Sequence, residues 1–152
     1  MNFPLVINTD RVELTEDIGR QLSAALAADG NLPRFVAMYG DLGVGKTAFV
    51  RGFSSVLAPN AIVKSPTFAL VNEYKCGSNP ASIKRICHFD MYRIVDEDDL
   101  YSIGFYDYLC PDTLCICEWC ELIPFALPES YIKVEIEKTD LGDGRKITLS
   151  LI

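Results

Sequence analysis

The strongest constraint on what this chain can fold into is the glycine spacing of Gly40-Asp41-Leu42-Gly43-Val44-Gly45-Lys46-Thr47. On its N-terminal side, Arg34–Gly40 is a short apolar run that reads as a buried strand. On its C-terminal side, Thr47–Leu57 places Phe49, Phe53, Val56 and Leu57 on one helical stripe before Pro59. A strand, a glycine-rich loop and a helix in that order make an anion cradle. Successive loop amides and the positive end of the helix dipole point at the same volume, and glycine lets the backbone approach a phosphate closely. In such a cradle Lys46 supplies a point charge to the β- and γ-phosphates and the Thr47 hydroxyl is a Mg²⁺ ligand. With Gly at about 7%, Lys at about 6% and Ser plus Thr at about 12%, this spacing arises by chance in roughly one chain of this length in two hundred, and its strand–helix context lowers that further. The sequence therefore predicts bound ATP and Mg²⁺, with Asp41, Leu42, Gly43, Val44, Gly45, Lys46, Thr47 and Ala48 against the nucleotide.

The remaining segments fit an α/β protein. Phe3–Asn8 reads as an edge strand, and a helix runs from Thr15 with Ile18, Leu22, Ala25 and Leu26 inward until Asp29-Gly30. Thr67–Tyr74, Arg85–Asp90 and Thr113–Glu118 have strand character, and Cys76–Ser82 reads as a surface loop. Asp96–Asp99 places four acids where a helix N-terminus favours them, with Leu100 and Ile103 inward, although Gly104 weakens that helix. Tyr131–Lys138 and Lys146–Ile152 alternate across Gly142-Asp143-Gly144 and read as a closing hairpin. The expected fold is a three-layer P-loop NTPase-like sandwich with a mixed central sheet and a C-terminal β-hairpin, residues 1–152 forming one domain.

Composition narrows the setting. No apolar run approaches the roughly 20 residues needed to span a bilayer, and Met1–Asp10 lacks the pattern of a signal peptide, so a soluble cytoplasmic protein with no membrane association is expected. Fourteen Lys and Arg against twenty-one Asp and Glu leave a net charge of −7, which opposes direct binding to nucleic acid. The six cysteines read as reduced thiols. Cys110, Cys115, Cys117 and Cys120 are locally dense, but Cys115 and Cys117 share one face of a strand and the spacing is not that of two paired C-x2-C knuckles; they read as buried small side chains ahead of a zinc site.

Phosphate chemistry also needs a group to position Mg²⁺ and one to orient the attacking water. Two apolar runs end in an acid, Ile86-Cys87-His88-Phe89-Asp90 and Leu114-Cys115-Ile116-Cys117-Glu118. Ligands gather at the carboxyl ends of strands in open α/β sheets, so Asp90 and Glu118 converge on the phosphates if both strands run parallel to Phe35–Tyr39. Lys46 and Mg²⁺ would compensate the paired anions. Asp90, Glu118 and Lys46 are therefore the candidate catalytic residues, and Thr47, Asp90 and Glu118 the candidate metal ligands.

With these residues in view, the chain resembles the ATPase subunit of the bacterial tRNA threonylcarbamoyladenosine machinery, the TsaE or YjeE family. The resemblance rests on the P-loop, on Ser65-Pro66-Thr67-Phe68 with Val71-Asn72-Glu73-Tyr74, on His88-Phe89-Asp90-Met91-Tyr92-Arg93, and on Glu118-Trp119. It implies a partner-dependent ATPase docked on a threonylcarbamoyl transferase subunit and its paralogous partner, a complex of TsaD–TsaB type, with tRNA contacted only indirectly. It also implies Lys46 on phosphate, Thr47 on Mg²⁺, Asp90 and Glu118 as the catalytic and metal-site acids, and Thr67 in a switch-like segment near the γ-phosphate. His88, the one histidine, reads first as packed or hydrogen-bonded. Trp119 reads equally as core or as a residue that closes the site or contacts a partner, and Arg93 as paired with a nearby acid such as Asp96 ahead of facing phosphate. A small-molecule phosphotransferase is the competing reading, for which Arg51, Arg93 and Arg145 are the available arginines. A guanine-nucleotide switch is disfavoured because no Asn-Lys-x-Asp occurs.

Overall fold

The computed structural model describes residues 1–139 and 142–152. In chain order the elements are β1 (Leu5–Thr9), α1 (Val12–Ala28), β2 (Phe35–Tyr39), α2 (Lys46–Leu57), β3 (Val71–Lys75), β4 (Arg85–Asp90), α3 (Glu97–Ser102), β5 (Thr113–Glu118), β6 (Ile132–Lys138) and β7 (Arg145–Leu151). The strands form one seven-stranded sheet in the order β1-β7-β6-β2-β5-β4-β3. β2 pairs in parallel with both β5 and β6, and β4 pairs in parallel with β5. β3, β7 and β1 complete the two margins in antiparallel fashion, as the mixed sheet expected from the sequence requires.

The period of two in the strands assigns side chains to two cores. Val36 and Met38 of β2, Ile86 of β4 and Leu114 and Ile116 of β5 face α1 and α2, whose Ile18, Leu22, Leu26, Phe49, Phe53 and Leu57 fill the same layer. Phe35 and Ala37, Cys87 and Phe89, and Cys115 and Cys117 face the other way. There they meet Leu100 of α3 and the short helical turns carrying Phe105, Ile123 and Ala126. The central strands are thus buried on both sides, as parallel strands in α/β proteins are.

Three local expectations are corrected. α1 begins at Val12, three residues before Thr15, because Thr15 does not cap the helix but lies buried with its hydroxyl 3.3 Å from that of Thr9. Val56 is 40% exposed, since the buried stripe of α2 is turned toward Val50 and Ser54 and leaves position 56 at its edge. The strand expected from Thr67 starts only at Val71: Pro66 accepts from the Leu70 amide at 2.8 Å, and Leu70 adopts a left-handed φ of 63°, so the preceding residues form a turn. Asp96 does cap α3, accepting from the Asp99 amide at 3.1 Å, and the helix stops before Gly104, which has a φ of 67°.

α1 and α2 approach closely enough for backbone contact. A Cβ on Gly52 would fall onto the backbone of Glu16, and one on Gly19 onto the carbonyl of Phe49. Only glycine fits at these two positions, and the orientation of the helix that begins at Lys46 depends on them. Gly52→Ala should therefore destabilise the protein by about 3 kcal/mol through overpacking against unyielding backbone. Urea unfolding monitored by circular dichroism checks this; an unchanged midpoint would mean that the helices can separate at no cost.

Candidate functional site

The carboxyl ends of β2, β4 and β5 lie at one end of the sheet, and the loop leaving β2 turns back over them into α2. Gly40, Gly43 and Gly45 have φ of 140°, 77° and 113°, values that side chains rarely tolerate, so this path depends on glycine. Gly45 is the N-cap of α2 and carries no side chain to satisfy the first amides of the helix, and no acid occupies the first turn. A helix N-terminus of this kind is able to receive an external anion.

Beside the loop lies a cavity of about 560 Å³ lined by Leu42, Gly43, Gly45, Lys46, Thr47, Thr67, Asp90 and Glu118, together with Ser65, Tyr92 and Trp119. Lys46 is its only cation among the described residues. The loop separates this cavity from a neighbouring one of about 460 Å³, where Ala48 and Val44 lie with Thr15 and Arg145. Asp41, with Leu42 and Val44, faces a third groove alongside Glu121, Glu135 and Glu137. The residues expected against a nucleotide are thus divided between the two sides of the loop, with Gly43 and Gly45 exposed to both cavities.

Lys46 is only 6% exposed. Its Nζ donates to the carbonyl of Gly40 and, at 3.0 Å, to that of Asp41, so the lysine ties the two ends of its own loop together. The ammonium also lies 4.1 Å from the ring centroid of Trp119. Burial pushes its pKa down, opposed by the charges of Glu118, Glu121, Asp90 and Asp41. Arg145, reaching across from β7, donates to the Val44 carbonyl at 2.7 Å and pins the outer side of the loop.

Asp90 and Glu118 are direct register partners on the adjacent parallel strands β4 and β5. Each carboxylate has its own support. Asp90 accepts from the Ser65 hydroxyl at 3.1 Å through one oxygen and from the Tyr92 amide at 3.0 Å through the other. Glu118, 4% exposed, accepts at 2.7 Å from Nε2 of His88, which is wholly buried. Trp119 holds a left-handed φ of 61°, an uncommon conformation for an aromatic residue, and its ring is 5.0 Å from that of Tyr92.

Sequence reasoning weighted Thr67 in the segment before β3, but its hydroxyl reaches only the Ser65 oxygen, at 3.5 Å, while Ser65 bonds directly to Asp90. The signal was present in Ser65-Pro66-Thr67-Phe68, yet choosing between two hydroxyls two residues apart requires the turn geometry. Arg93 is not paired with Asp96. Its guanidinium lies 4.7 Å from the ring centroid of Phe68, and the Asp96 carboxylate is spent on capping α3.

Residues 9–147 match the family model described as threonylcarbamoyl adenosine biosynthesis protein TsaE. The chain belongs to the TsaE family. A tRNA threonylcarbamoyladenosine biosynthesis protein TsaE from Haemophilus influenzae is 41% identical over 75% of this chain and 68% of its own length. The protein of that name from Bacillus subtilis is 35% identical over 87% of this chain and 77% of its own. The crystal structure of B. subtilis YdiB superposes with a TM-score of 0.72 at 30% identity, covering 98% of this chain and 86% of that one.

In this TsaE-family chain the thiols are spread through the core on the side of the sheet opposite α1 and α2. Cys87, Cys115, Cys117 and Cys120 are buried there. Burial pushes the Cys87 thiol up to about 12 and Cys76, elsewhere in the fold, up to about 11. Burial raises the thiols of Cys115 and Cys117 as well. Only the thiolate reacts, so at pH 8 a thiol with a pKa near 11 is roughly 0.1% reactive. Iodoacetamide at pH 8 should label the half-buried Cys110 first, and Cys76 should gain reactivity as pH rises toward 11. Cys87, Cys115, Cys117 and Cys120 should remain unlabelled until the protein is unfolded. Peptide mass spectrometry reads the order directly; prompt labelling of Cys117 in the native protein would contradict the packing.

Proposed function

We propose that this protein is an ATP-hydrolysing accessory subunit in the formation of threonylcarbamoyladenosine in tRNA, acting with a transferase subunit and that subunit's paralogous partner. The observation that carries the proposal is the convergence of Lys46, Thr47, Asp90 and Glu118 on one cavity beside an uncapped helix N-terminus. The names of the relatives supply the pathway. An acidic chain suits such a role, because the RNA contacts fall to its partners. No helix among the described residues is long and apolar enough to cross a membrane, which fits work beside tRNA in the cytoplasm.

The donor set suits Mg²⁺, a hard cation that takes oxygen ligands: the Thr47 hydroxyl and a carboxylate of Asp90 held at both oxygens would hold it. When bound with ATP, Mg²⁺ supplies neutralisation of charge on the β- and γ-phosphates. Lys46 and the free amides of the loop bind the phosphates and stabilise charge that builds on them as the terminal bond breaks. Glu118 orients the attacking water and accepts its proton, since one of its oxygens is fixed by His88 and the side chain lines the cavity. The second cavity, with Ala48 and Arg145 across the loop, is the place for the nucleoside.

The phosphotransferase reading loses ground. Of its arginines, Arg51 is bonded to Glu16 at 2.6 Å, Arg145 to the Val44 carbonyl, and Arg93 lies over Phe68. None lines the cavity beside Lys46 and Thr47.

The test is ATP hydrolysis by the protein alone and with the transferase complex. Partner stimulation of tenfold or more is expected, and Glu118→Gln should abolish at least about 100-fold of the rate while retaining Mg·ATP binding. Asp90→Asn should weaken the Mg²⁺-dependent part of binding instead, and Lys46→Ala should lose both binding and hydrolysis. Full turnover by Glu118→Gln would remove this assignment. Binding should also show as stabilisation: Mg·ATP at a hundred times its Kd adds about 2.7 kcal/mol, visible as a rise in Tm that GTP does not match.

A further inference from the structure

Behind Glu118 lies a polar chain that crosses three strands. His88 of β4 is wholly buried in the layer facing α2, and its Nε2 is 2.7 Å from Glu118 Oε1. Its Nδ1 is 3.5 Å from the hydroxyl of Tyr74 on β3, with the two rings 6.4 Å apart between centroids. Neither Tyr74 nor His88 lines the cavity that Glu118 lines. They touch the site only through that carboxylate.

The direction of the chain follows from its chemistry. An ionised carboxylate only accepts, so the hydrogen of the 2.7 Å bond sits on Nε2. In a neutral ring Nδ1 is then the acceptor, and the Tyr74 hydroxyl is the donor placed to serve it. Burial pushes the Tyr74 phenol up, so it keeps its hydrogen and can donate. The order is Tyr74 O–H to His88 Nδ1, and His88 Nε2–H to Glu118 Oε1.

We propose that His88, oriented by Tyr74, is a positioning residue for the reaction: it holds one oxygen of Glu118 so that the other stays presented to the water that attacks the γ-phosphate. The proposal rests on the reading of Glu118 given above. A glutamate has three side-chain torsions, and one fixed oxygen restricts all of them. Asp90 needs no such device, because its shorter side chain is held by the Tyr92 amide and the Ser65 hydroxyl. Supporting partners of this kind commonly carry a factor of about 10–100 in activity.

The experiment compares His88→Gln, His88→Phe, Tyr74→Phe and Glu118→Gln in the full chain under the partner-stimulated assay, with Mg·ATP affinity measured separately by calorimetry. A glutamine amide can place an N–H where Nε2 was, and phenylalanine cannot. His88→Phe should lower kcat about 10–100-fold with Kd for Mg·ATP changed less than about twofold, and His88→Gln should recover most of that loss. Tyr74→Phe should show a smaller fall in kcat with the same unchanged Kd.

A second measurement needs no variant. His88 is the one histidine in the sequence, so tag-free ¹⁵N-labelled protein gives one pair of imidazole nitrogen signals. They should report a hydrogen on Nε2, whereas a ring carrying its hydrogen on Nδ1 alone would overturn the proposal. If Glu118→Gln is inactive while His88→Phe keeps full kcat, the positioning role fails alone. If Glu118→Gln itself keeps full turnover, the reading of Glu118 fails and takes this proposal with it.

Discussion

The parallel pairing of β2, β5 and β4 is the constraint on which the rest of the site depends. Because the three strands run the same way, their carboxyl ends finish on one edge of the sheet, and the loop from β2, the acid ending β5 and the acid ending β4 arrive there together. Register sharpens the result: Asp90 and Glu118 are direct partners, so both side chains emerge on the face that carries α2. A slip of one residue in either strand would turn one acid toward the opposite core. The hydrophobic alternation of both strands opposes that slip, since it would also expose Ile86 or Ile116 to the wrong layer.

Bringing two carboxylates to one point is unfavourable unless the surroundings compensate, and the compensation is local. Lys46 is held over the site by two carbonyls of its own loop and by the face of Trp119, while hydroxyl, amide and imidazole donors support the acids. The charged groups are therefore held by fixed partners, which limits the reorganisation that any charge placed among them would require. The close contact of α1 with α2 extends this order outward. With Gly19 and Gly52 admitting backbone against backbone, the helix whose N-terminus forms the cradle cannot tilt without moving its neighbour.

Much of this was legible in the sequence, and the reason is locality. The glycine-rich loop, the helix after it and the two acid-terminated strands are each contiguous, and their periodicities and glycines act over a few residues; β4 and β5 have in the structure the bounds that the sequence predicts. The segment between Pro59 and Val71 was less legible, because it has no regular period and its conformation is set by a turn at Pro66 and by contacts to β4. Arg93 was misread for a related reason. Asp96 is near in sequence, but the Asp96 carboxylate is taken by a helix cap and the guanidinium finds an aromatic face from a different segment.

The sequence by itself determined the chemistry available to this TsaE-family chain: a glycine-rich loop, a lysine and a hydroxyl at its end, and two carboxylates at strand termini. Tertiary structure alone decided how those groups are held. Strand order made Asp90 and Glu118 neighbours across 28 residues of chain, placed the buried Tyr74 and His88 behind Glu118, and brought Arg145 from the last strand onto the Val44 carbonyl 101 residues earlier. Hydrogen bonds between residues so far apart leave no periodic trace in a sequence, because they are fixed by which strands pair and in what register, and that is settled only when the two cores close.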